Sequence, residues 1–426
     1  MRALIPLVFF VVVYLIASIV AGDFYKVPIT VAFMLTAVVA VATARGSLKD
    51  RIAVFSRGAG ESNLLLMVWI FVLAGAFANS AREMGSITEV VNLTFSLVPA
   101  NALLAGLFIS SAFISLSIGT SVGTIVALTP IAVGMADAMG VSAVLLTAIV
   151  IGGSFFGDNL SFISDTTVVA TQSQGVRMSD KFRTNIRIAL PAALLMVAVY
   201  AVMGRDLTAP SDLPEVNFLK VLPYLVVLIT AVLGLNVLLV LCIGILLTGA
   251  VGMVCGDYDV YSWFGAMGDG IIGMGELIII TMLAGGVLEV IRANGGIQYL
   301  MDKILTHVHS RRTAELSIAA LVSVVDLCTA NNTVAIITVS GIARDISNRF
   351  GLDPRRVASI LDTFSCTMQG LIPYGAQLLM ASAIAKCNPV ELIPYLYYPL
   401  ALGVCALVAI MVGQKRRPVC DEAEAQ

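Results

Sequence analysis

Long apolar segments recur along this 426-residue chain, and they restrict its fold more than any other feature. Stretches of roughly 17–25 apolar residues recur, and each is long enough for an α-helix to cross the hydrocarbon layer of a membrane. The chain is 59% hydrophobic and 12% charged, whereas a soluble domain carries about 25% charged residues. We therefore predict an all-α polytopic membrane protein, because the strands of a membrane β-barrel would alternate apolar and polar residues.

The apolar segments form two sets of seven. The first set lies near residues 3–21, 27–44, 63–81, 98–117, 120–138, 141–172 and 187–204, and the second lies near 217–234, 236–254, 274–292, 313–329, 332–348, 355–386 and 390–412. The segment 3–21 exceeds the apolar core of about 7–15 residues that a signal peptide has. We therefore expect it to be a retained first helix.

The two sets resemble each other in sequence. The stretch LAGAFANSAREMGSI (73–87) aligns with LAGGVLEVIRANGGI (283–297), with Arg82 and Gly85 matching Arg292 and Gly295 at one constant offset. Seven is an odd number, so the second copy would enter the membrane inverted, which is the plan of many secondary transporters. We predict a first inverted-topology repeat at 1–206 and a second at 207–426, the latter ending in a short cytoplasmic tail.

The distribution of basic residues predicts the orientation. With the N-terminus in the cytoplasm, 20 of the 25 lysines and arginines fall on the cytoplasmic side, including Lys181 in a loop with Arg177, Arg183 and Arg187. The residues left outside are Lys26, Arg82, Arg205, Lys220 and Lys386. This asymmetry follows the positive-inside rule, so we expect both termini in the cytoplasm and a bacterial cytoplasmic (inner) membrane location. The net charge of −2 gives no reason to expect nucleic-acid binding.

Two pairs of apolar segments have very short connections. These are 98–117 with 120–138, and 313–329 with 332–348. Each pair is either two full crossings or a re-entrant hairpin. Tips rich in Gly, Ser, Thr and Asn favour hairpins, because irregular backbone at membrane depth is tolerated where it is buried in protein or lines a watery cavity.

The stretch SFFGDNLSFISDTT (154–167) places two carboxylates in an apolar region, where an ionised side chain is costly. Gly152, Gly153 and Gly157 weaken the helix and predict a break. The oxygen-bearing residues are Asp158, Asn159, Ser161, Ser164, Asp165, Thr166 and Thr167. Such oxygens suit a small hard cation, so we predict that Asp158 and Asp165 bind Na⁺. The alternative is an ordinary loop between helices.

The corresponding stretch of the second set is FSCTMQGLIPYGAQ (364–377). Gly370, Pro373 and Gly375 predict a second broken helix. Thr367 and Gln369 replace the carboxylates here, and Asp362 lies about two turns earlier. A proline kink that serves packing alone is the alternative.

The tips of the paired segments are also polar. Thr120 and Ser121 lie at the first tip, and Asn331, Asn332 and Thr333 lie at the second. We include these residues in the ion or substrate site. Asp326 precedes the second tip and is included as well; the alternative is an ion pair with a neighbouring helix, for which Arg292 is a candidate.

The stretch FFGDNLSFISDTT resembles the signature of the NhaC-type sodium/proton antiporter family, within the larger ion transporter superfamily. That family typically reads Gly-Asp-Lys, a short gap and Ser-Asp-Thr-Thr, which Gly157–Asp158 and 164–167 match. Asn159 stands where lysine is common. TANNTVA is similar to the Ser-Asn-Thr tips of superfamily carboxylate transporters. The resemblance implies coupled cation transport, and relatives also move malate, lactate or amino acids.

We therefore interpret the chain as a secondary transporter that exchanges Na⁺ for H⁺. A desolvated carboxyl, with Asp158 the first choice and Asp165 the second, would hold either a proton or Na⁺. We expect no cofactor and no ATP, with Na⁺ and H⁺ as coupling ions. The alternative is a Na⁺- or H⁺-coupled carrier of a small organic anion or amino acid, cradled by the tips near helix N-termini. An enzyme is disfavoured, since no histidine lies in an apolar segment and no HExxH occurs. A homodimer is left open.

Overall fold

The computed structural model describes residues 2–6, 8–10, 12–13, 29–161, 164–208, 215–233, 235–306 and 308–413. This part of the chain is helical and contains no strand. Residues 5–6, 8–10 and 12–13 are helical. The remainder of the expected first helix, from residue 14, and the expected C-terminal tail lie outside the described residues.

Twenty α-helices follow one another in the described part of the chain, numbered here in chain order. The first nine are α1 (Ile29–Thr43), α2 (Leu48–Ala59), α3 (Ser62–Glu83), α4 (Ser86–Leu97), α5 (Leu103–Ile118), α6 (Ser121–Met139), α7 (Ala143–Leu160), α8 (Asp165–Gln174) and α9 (Met178–Gly204). The others are α10 (Phe218–Val232), α11 (Val237–Cys255), α12 (Val260–Gly273), α13 (Gly275–Ala293), α14 (Gly296–Leu305), α15 (Arg311–Thr329), α16 (Asn332–Phe350), α17 (Pro354–Gln369), α18 (Ala376–Ala385), α19 (Pro389–Leu392) and α20 (Tyr397–Val412).

Seven helical stretches in the described residues are long and apolar enough to cross a membrane, and α19 with α20, bent by 55°, would form an eighth. This is fewer than the fourteen apolar segments of the sequence. Some of those segments form shorter apolar helices, such as Phe218–Thr230 and Ala376–Ala385. Others, including α15 and α16, carry charged residues near their ends. Large apolar side chains such as Leu194, Val254 and Val404 are exposed, as expected for a lipid-facing surface.

Both predicted broken helices are present. The chain leaves helical conformation after Leu160 and resumes it at Asp165, and again between Gln369 and Ala376. The two predicted tips are two-residue connections, Gly119–Thr120 between α5 and α6 and Ala330–Asn331 between α15 and α16. Gly119 and Ala330 both adopt left-handed backbone conformations, with φ of 75° and 48°. Each tip therefore reverses the chain within a single tight turn.

Four helices lie between the predicted apolar segments and were not anticipated: α2, α4, α12 and α14. Their sequences are short and mix apolar with polar residues, so no membrane-length apolar run marks them. Helix α2 instead carries a local start signal, because Ser47 and Asp50 form a reciprocal capping box. The sequence signal that could have predicted these four helices is the recurrence of apolar residues every three to four positions over a short stretch.

The order of helices in α1–α9 recurs in α11–α20, and contacts between the halves come in reciprocal pairs. Helix α3 packs on α12 while α13 packs on α2, and α6 packs on α18 while α16 packs on α8. Gly85 and Gly295, aligned in sequence, both precede a helix with φ near 80° (81° and 78°). Reciprocal contacts are what a two-fold relation produces. The inverted-topology repeats at 1–206 and 207–426 stay a prediction.

Candidate functional site

A cavity of about 140 Å³ lies where the two hairpin tips meet the first helix break. It could hold several water molecules, since one water needs about 10–15 Å³ of such volume. Its polar lining comes from four places in the chain, namely the first tip, the first break, the second tip and the helix that follows the second break. The residues that line it are Leu66, Met67, Gly119, Thr120, Ser121, Val122, Asp158, Ser164, Asp165, Thr166, Asn331, Asn332, Thr333 and Gln377.

Asp158 is the buried acidic group of this cavity, with 5% of its surface exposed. Its Oδ2 accepts a hydrogen bond from Ser121 of the first tip at 2.9 Å, and its Oδ1 accepts one from Ser164, beyond the break, at 2.5 Å. Ser164 is in turn 2.9 Å from the Thr166 hydroxyl. The hairpin tip and both sides of the break therefore converge on one carboxylate. Asp165 lines the same cavity but is exposed at the start of α8.

The second break reaches the same site through two glutamines. The Gln377 amide of α18 donates to Ser121 at 3.0 Å, and its oxygen accepts from Gln369 at 2.7 Å. Gln369 also donates to the Ala330 carbonyl at the second tip. A small neighbouring cavity of about 40 Å³ lies against these amides and the tip residues Asn331 and Asn332. Hydrogen bonds thus join the two halves around Asp158.

Next to this network lies a fully buried ion pair that the sequence analysis did not foresee. The Lys181 ammonium is 2.6 Å from Asp362 Oδ2, and the two side chains are 1% and 0% exposed. Asn159 and Asn185 each donate to the same Asp362 oxygen at 2.9 Å. Assigning Lys181 to a cytoplasmic loop was wrong. Helix α9 begins at Met178, before the apolar run that starts near residue 187, so Lys181 lies on a helix packed into the protein.

The glycines near the first break have a different role from the one predicted. Gly152, Gly153 and Gly157 lie inside the continuous helix α7, and the break follows Leu160. A Cβ atom at Gly157 would lie 2.3 Å from the Leu116 backbone nitrogen of α5, and one at Gly153 would lie 2.6 Å from the Phe108 carbonyl oxygen. These glycines therefore allow α5 and α7 to pack with their backbones in close approach. They do not interrupt the helix.

Ser161 and Thr367 were predicted to belong to the site, but neither lines the cavity. Ser161 donates to the Leu116 carbonyl of α5. Thr367 donates to the Thr363 carbonyl within α17, and its methyl group lies 2.9 Å from where a Cβ at Gly403 would be. Both side chains therefore contribute to helix packing.

Asp326 is 0% exposed on α15, and neither of its carboxylate oxygens has a hydrogen-bond partner among the described residues. The alternative partner from the sequence, Arg292, instead lies 3.6 Å from Glu289. Asp326 is thus a buried acid outside both polar networks.

Sequence reasoning missed Lys181, Asn185 and Gln377 as members of the site. Lys181 and Asn185 are spaced i, i+4, so they share one face of α9, and both are buried. The sequence signal that could have identified them is a pair of polar residues on one helix face just before an apolar run. Gln377 belongs to the second broken segment but carries no charge, so composition alone did not mark it.

The helix termini give the cavity a mixed electrostatic character. Helices α6, α8 and α16 begin at Ser121, Asp165 and Asn332, all of which line it. Helix N-termini carry partial positive charge and stabilise anions, whereas Asp158 and Asp165 favour a cation. The Asn332 amide nitrogen is buried with no hydrogen-bond partner in the described structure. The oxygens of the site come from carboxylates, hydroxyls and side-chain amides, which are the ligands that hard cations take.

Comparisons with a protein family and with individual proteins match this chain over most of its length. The family described as the Na⁺/H⁺ antiporter family matches residues 2–205 and 216–414. The chain is 23% identical to the malate-2H⁺/Na⁺-lactate antiporter of Bacillus subtilis, covering 82% of this chain and 81% of the relative. It is also 23% identical to the Na⁺/H⁺ antiporter NhaC of that organism, covering 83% and 84%. The crystal structure of the Alcanivorax borkumensis YdaH transporter is similar over 85% of this chain and 86% of that one, with 14% identity and a TM-score of 0.44.

Proposed function

This chain belongs to the Na⁺/H⁺ antiporter family, and from that premise we propose that it exchanges Na⁺ for H⁺ at Asp158. An integral membrane transporter, not an enzyme, is what the family and the apolar helices establish. The identity of the ions and the assignment of the carboxyl group are our proposal. Both termini are proposed to lie in the cytoplasm.

One observation carries the proposal. Asp158 is a buried carboxylate on a cavity, and no lysine, arginine or histidine of the described residues forms an ion pair with it. The nearby lysine, Lys181, is bonded to Asp362 instead. A buried carboxylate needs charge compensation. A mobile cation or a proton entering the cavity would supply it.

The neighbours of Asp158 suit both of these partners. Ser121 and Ser164 donate hydrogen bonds to the carboxylate, and a hydroxyl can also accept through its lone pairs. With Na⁺ bound, the two hydroxyl oxygens and the carboxylate would turn toward the ion, as hard cations require. With a proton bound, the carboxyl group would donate to one of the same hydroxyls. Because both states use the same atoms, Na⁺ and H⁺ compete, and this competition couples their movements.

Alternating access would be possible because the residues around Asp158 belong to different halves of the protein. Ser121 belongs to a hairpin tip of the first half, whereas Gln377, which donates to it, belongs to the broken helix of the second half. A rocking or sliding movement of one substructure against the other would expose Asp158 to each side in turn.

The test is transport by purified protein in vesicles that contain a pH-sensitive dye. We expect an imposed Na⁺ gradient to drive proton movement in the opposite direction, with Li⁺ and K⁺ gradients as comparisons. Asp158→Asn should reduce this flux to the level of protein-free vesicles, because the amide cannot take up a proton. Asp137→Asn, at an exposed aspartate near the far end of α6, is the matched control and should transport normally. Wild-type flux in Asp158→Asn would refute the assignment.

A second candidate is coupled transport of a small organic carboxylate. The helix N-termini at the cavity favour an anionic ligand, as does the Asn332 amide, which has no hydrogen-bond partner among the described residues. One relative is named a malate-2H⁺/Na⁺-lactate antiporter. The same vesicles distinguish the two candidates when malate or lactate is added. Proton movement that requires an added carboxylate would support this candidate, and movement with Na⁺ alone supports the first.

A further inference from the structure

The Lys181 side chain ends in a cluster of oxygen atoms. Besides Asp362 Oδ2 at 2.6 Å, its ammonium donates to the Asn159 carbonyl oxygen at 2.5 Å and to the Thr167 hydroxyl at 2.6 Å. An ammonium group has three hydrogens to donate, and these three oxygens account for all of them. The side chain is 1% exposed, so water does not complete its coordination.

These oxygens come from three separate helices. Asn159 lies just before the first helix break and Thr167 just after it, while Asp362 lies on α17 in the second half. The carbonyl of Asn159 belongs to the last turn of α7, where helix carbonyls lack intrahelical partners. Lys181 thus joins both sides of the break to the other half of the protein.

The three oxygens also form a typical donor set for a hard metal cation. A backbone carbonyl, a hydroxyl and a carboxylate are ligands of this kind, and Ca²⁺, an ion close in radius to Na⁺, binds such oxygens at about 2.3–2.6 Å. The position of the Lys181 nitrogen already meets this range. The second oxygen of Asp362 has no hydrogen-bond partner in the described structure, so it could serve as a further ligand.

We propose that this cluster is a second cation site, which the Lys181 ammonium occupies as a tethered cation and thereby closes to Na⁺. The ammonium neutralises Asp362 and leaves Asp158 as the carboxylate available to mobile ions. The inference goes beyond the proposed exchange at Asp158 and does not require it. It predicts that shortening Lys181 opens a Na⁺ site in a place where the native protein binds none.

The experiment measures the melting temperature of purified protein in detergent, in Na⁺ and in an equal concentration of choline. All variants carry Asp158→Asn, which removes the proposed exchange site and keeps the two proposals separate. We expect Lys181→Ala to gain a Na⁺-dependent rise of roughly 3 °C or more at about 100 mM, because ligand binding stabilises the folded state. The Asp158→Asn parent should show no such rise.

Lys220→Ala is the matched control, because Lys220 pairs with Asp257 at 2.6 Å where both side chains are about one-fifth exposed (19% and 21%). Removal of that ammonium should produce no Na⁺ response. If Lys181→Ala cannot be purified, Lys181→Ser is measured in the same way, since its hydroxyl leaves space and adds an oxygen. A Lys181 variant that folds but responds equally to Na⁺ and choline overturns the inference, as does an equal response in Lys220→Ala.

Discussion

At the scale of single residues, the second half holds two buried aspartates in opposite surroundings. Asp362 accepts from Lys181, Asn159 and Asn185 on one oxygen. Asp326 has no hydrogen-bond partner on either oxygen among the described residues. Removal of one member of a buried ion pair leaves the other charge uncompensated, whereas a group without hydrogen bonds has none to lose. The two residues should therefore respond differently to the same substitution.

Asp362→Asn should lower the free energy of unfolding by about 3–5 kcal/mol, because Lys181 would keep a buried charge without its counter-ion. Asp326→Asn should change it by no more than about 1 kcal/mol, because no hydrogen bond is lost. Thermal or denaturant unfolding in detergent compares the two variants, each serving as the control for the other. Equal losses in both would contradict the distinction.

At the scale of helices, glycines determine which elements can approach closely. A glycine of α2 (Gly58) lies against Gly285 of α13, and a glycine of α12 (Gly270) lies against Gly75 of α3. Gly75 and Gly285 belong to the LAG tripeptides that align between the halves. At these two crossings backbone meets backbone, so a side chain as small as alanine would need the helices to separate. The two crossings are counterparts of each other.

Helix α12 offers an internally controlled test of this packing. A Cβ at Gly270 would lie 2.1 Å from the Gly75 carbonyl oxygen, whereas one at Gly268 would meet nothing within 4 Å. We expect Gly270→Ala to destabilise the protein by about 1–3 kcal/mol through overpacking. Gly268→Ala should stabilise it by about 0.5–1 kcal/mol through helix propensity. If the melting temperatures of both variants shift in the same direction, the close packing of α12 on α3 at Gly270 is contradicted.

At the scale of the whole molecule, ion pairs form between charged residues that the predicted topology places on the same side of the membrane. At the side expected to be cytoplasmic, Asp180 of α9 lies 3.2 Å from Arg177 and 3.8 Å from Arg355 of α17. At the other side, Lys220 contacts Asp257. Each contact joins chain segments that the predicted topology places on a common face. Reassigning Lys181 to the interior removes one basic residue from the cytoplasmic count and leaves the asymmetry intact.

The orientation can be tested with fusions, because alkaline phosphatase is active only outside the cytoplasm. We expect high activity for a fusion after residue 208, between α9 and α10, and low activity for one after residue 310, between α14 and α15. The basic residues that follow, Arg311 and Arg312, favour the cytoplasm for the second position. Fluorescent-protein fusions at the same positions should give the opposite pattern. A reversed pattern in both assays would invert the proposed orientation.

Much of this architecture was readable from the sequence, for a physical reason. Hydrocarbon thickness imposes a length on apolar segments, so their positions predicted the class of fold and most of the long helices. Special backbone residues marked the hairpin at Gly119 and the second break at Pro373. The cost of burying a carboxylate singled out Asp158. These are constraints that act on a single segment.

Only the tertiary structure decided how segments distant in the chain combine. It placed Lys181 against Asp362 and Thr167, joined Gln377 to Ser121, left Asp326 without a hydrogen-bond partner in the described part of the chain, and turned the glycines of α7 into a packing surface. Each of these outcomes depends on which helix faces lie within a few ångströms of each other, and local composition carries no record of that distance. The sequence therefore determined which polar groups are costly to bury in a membrane without a partner. The packing of the two halves determined which of these groups became partners.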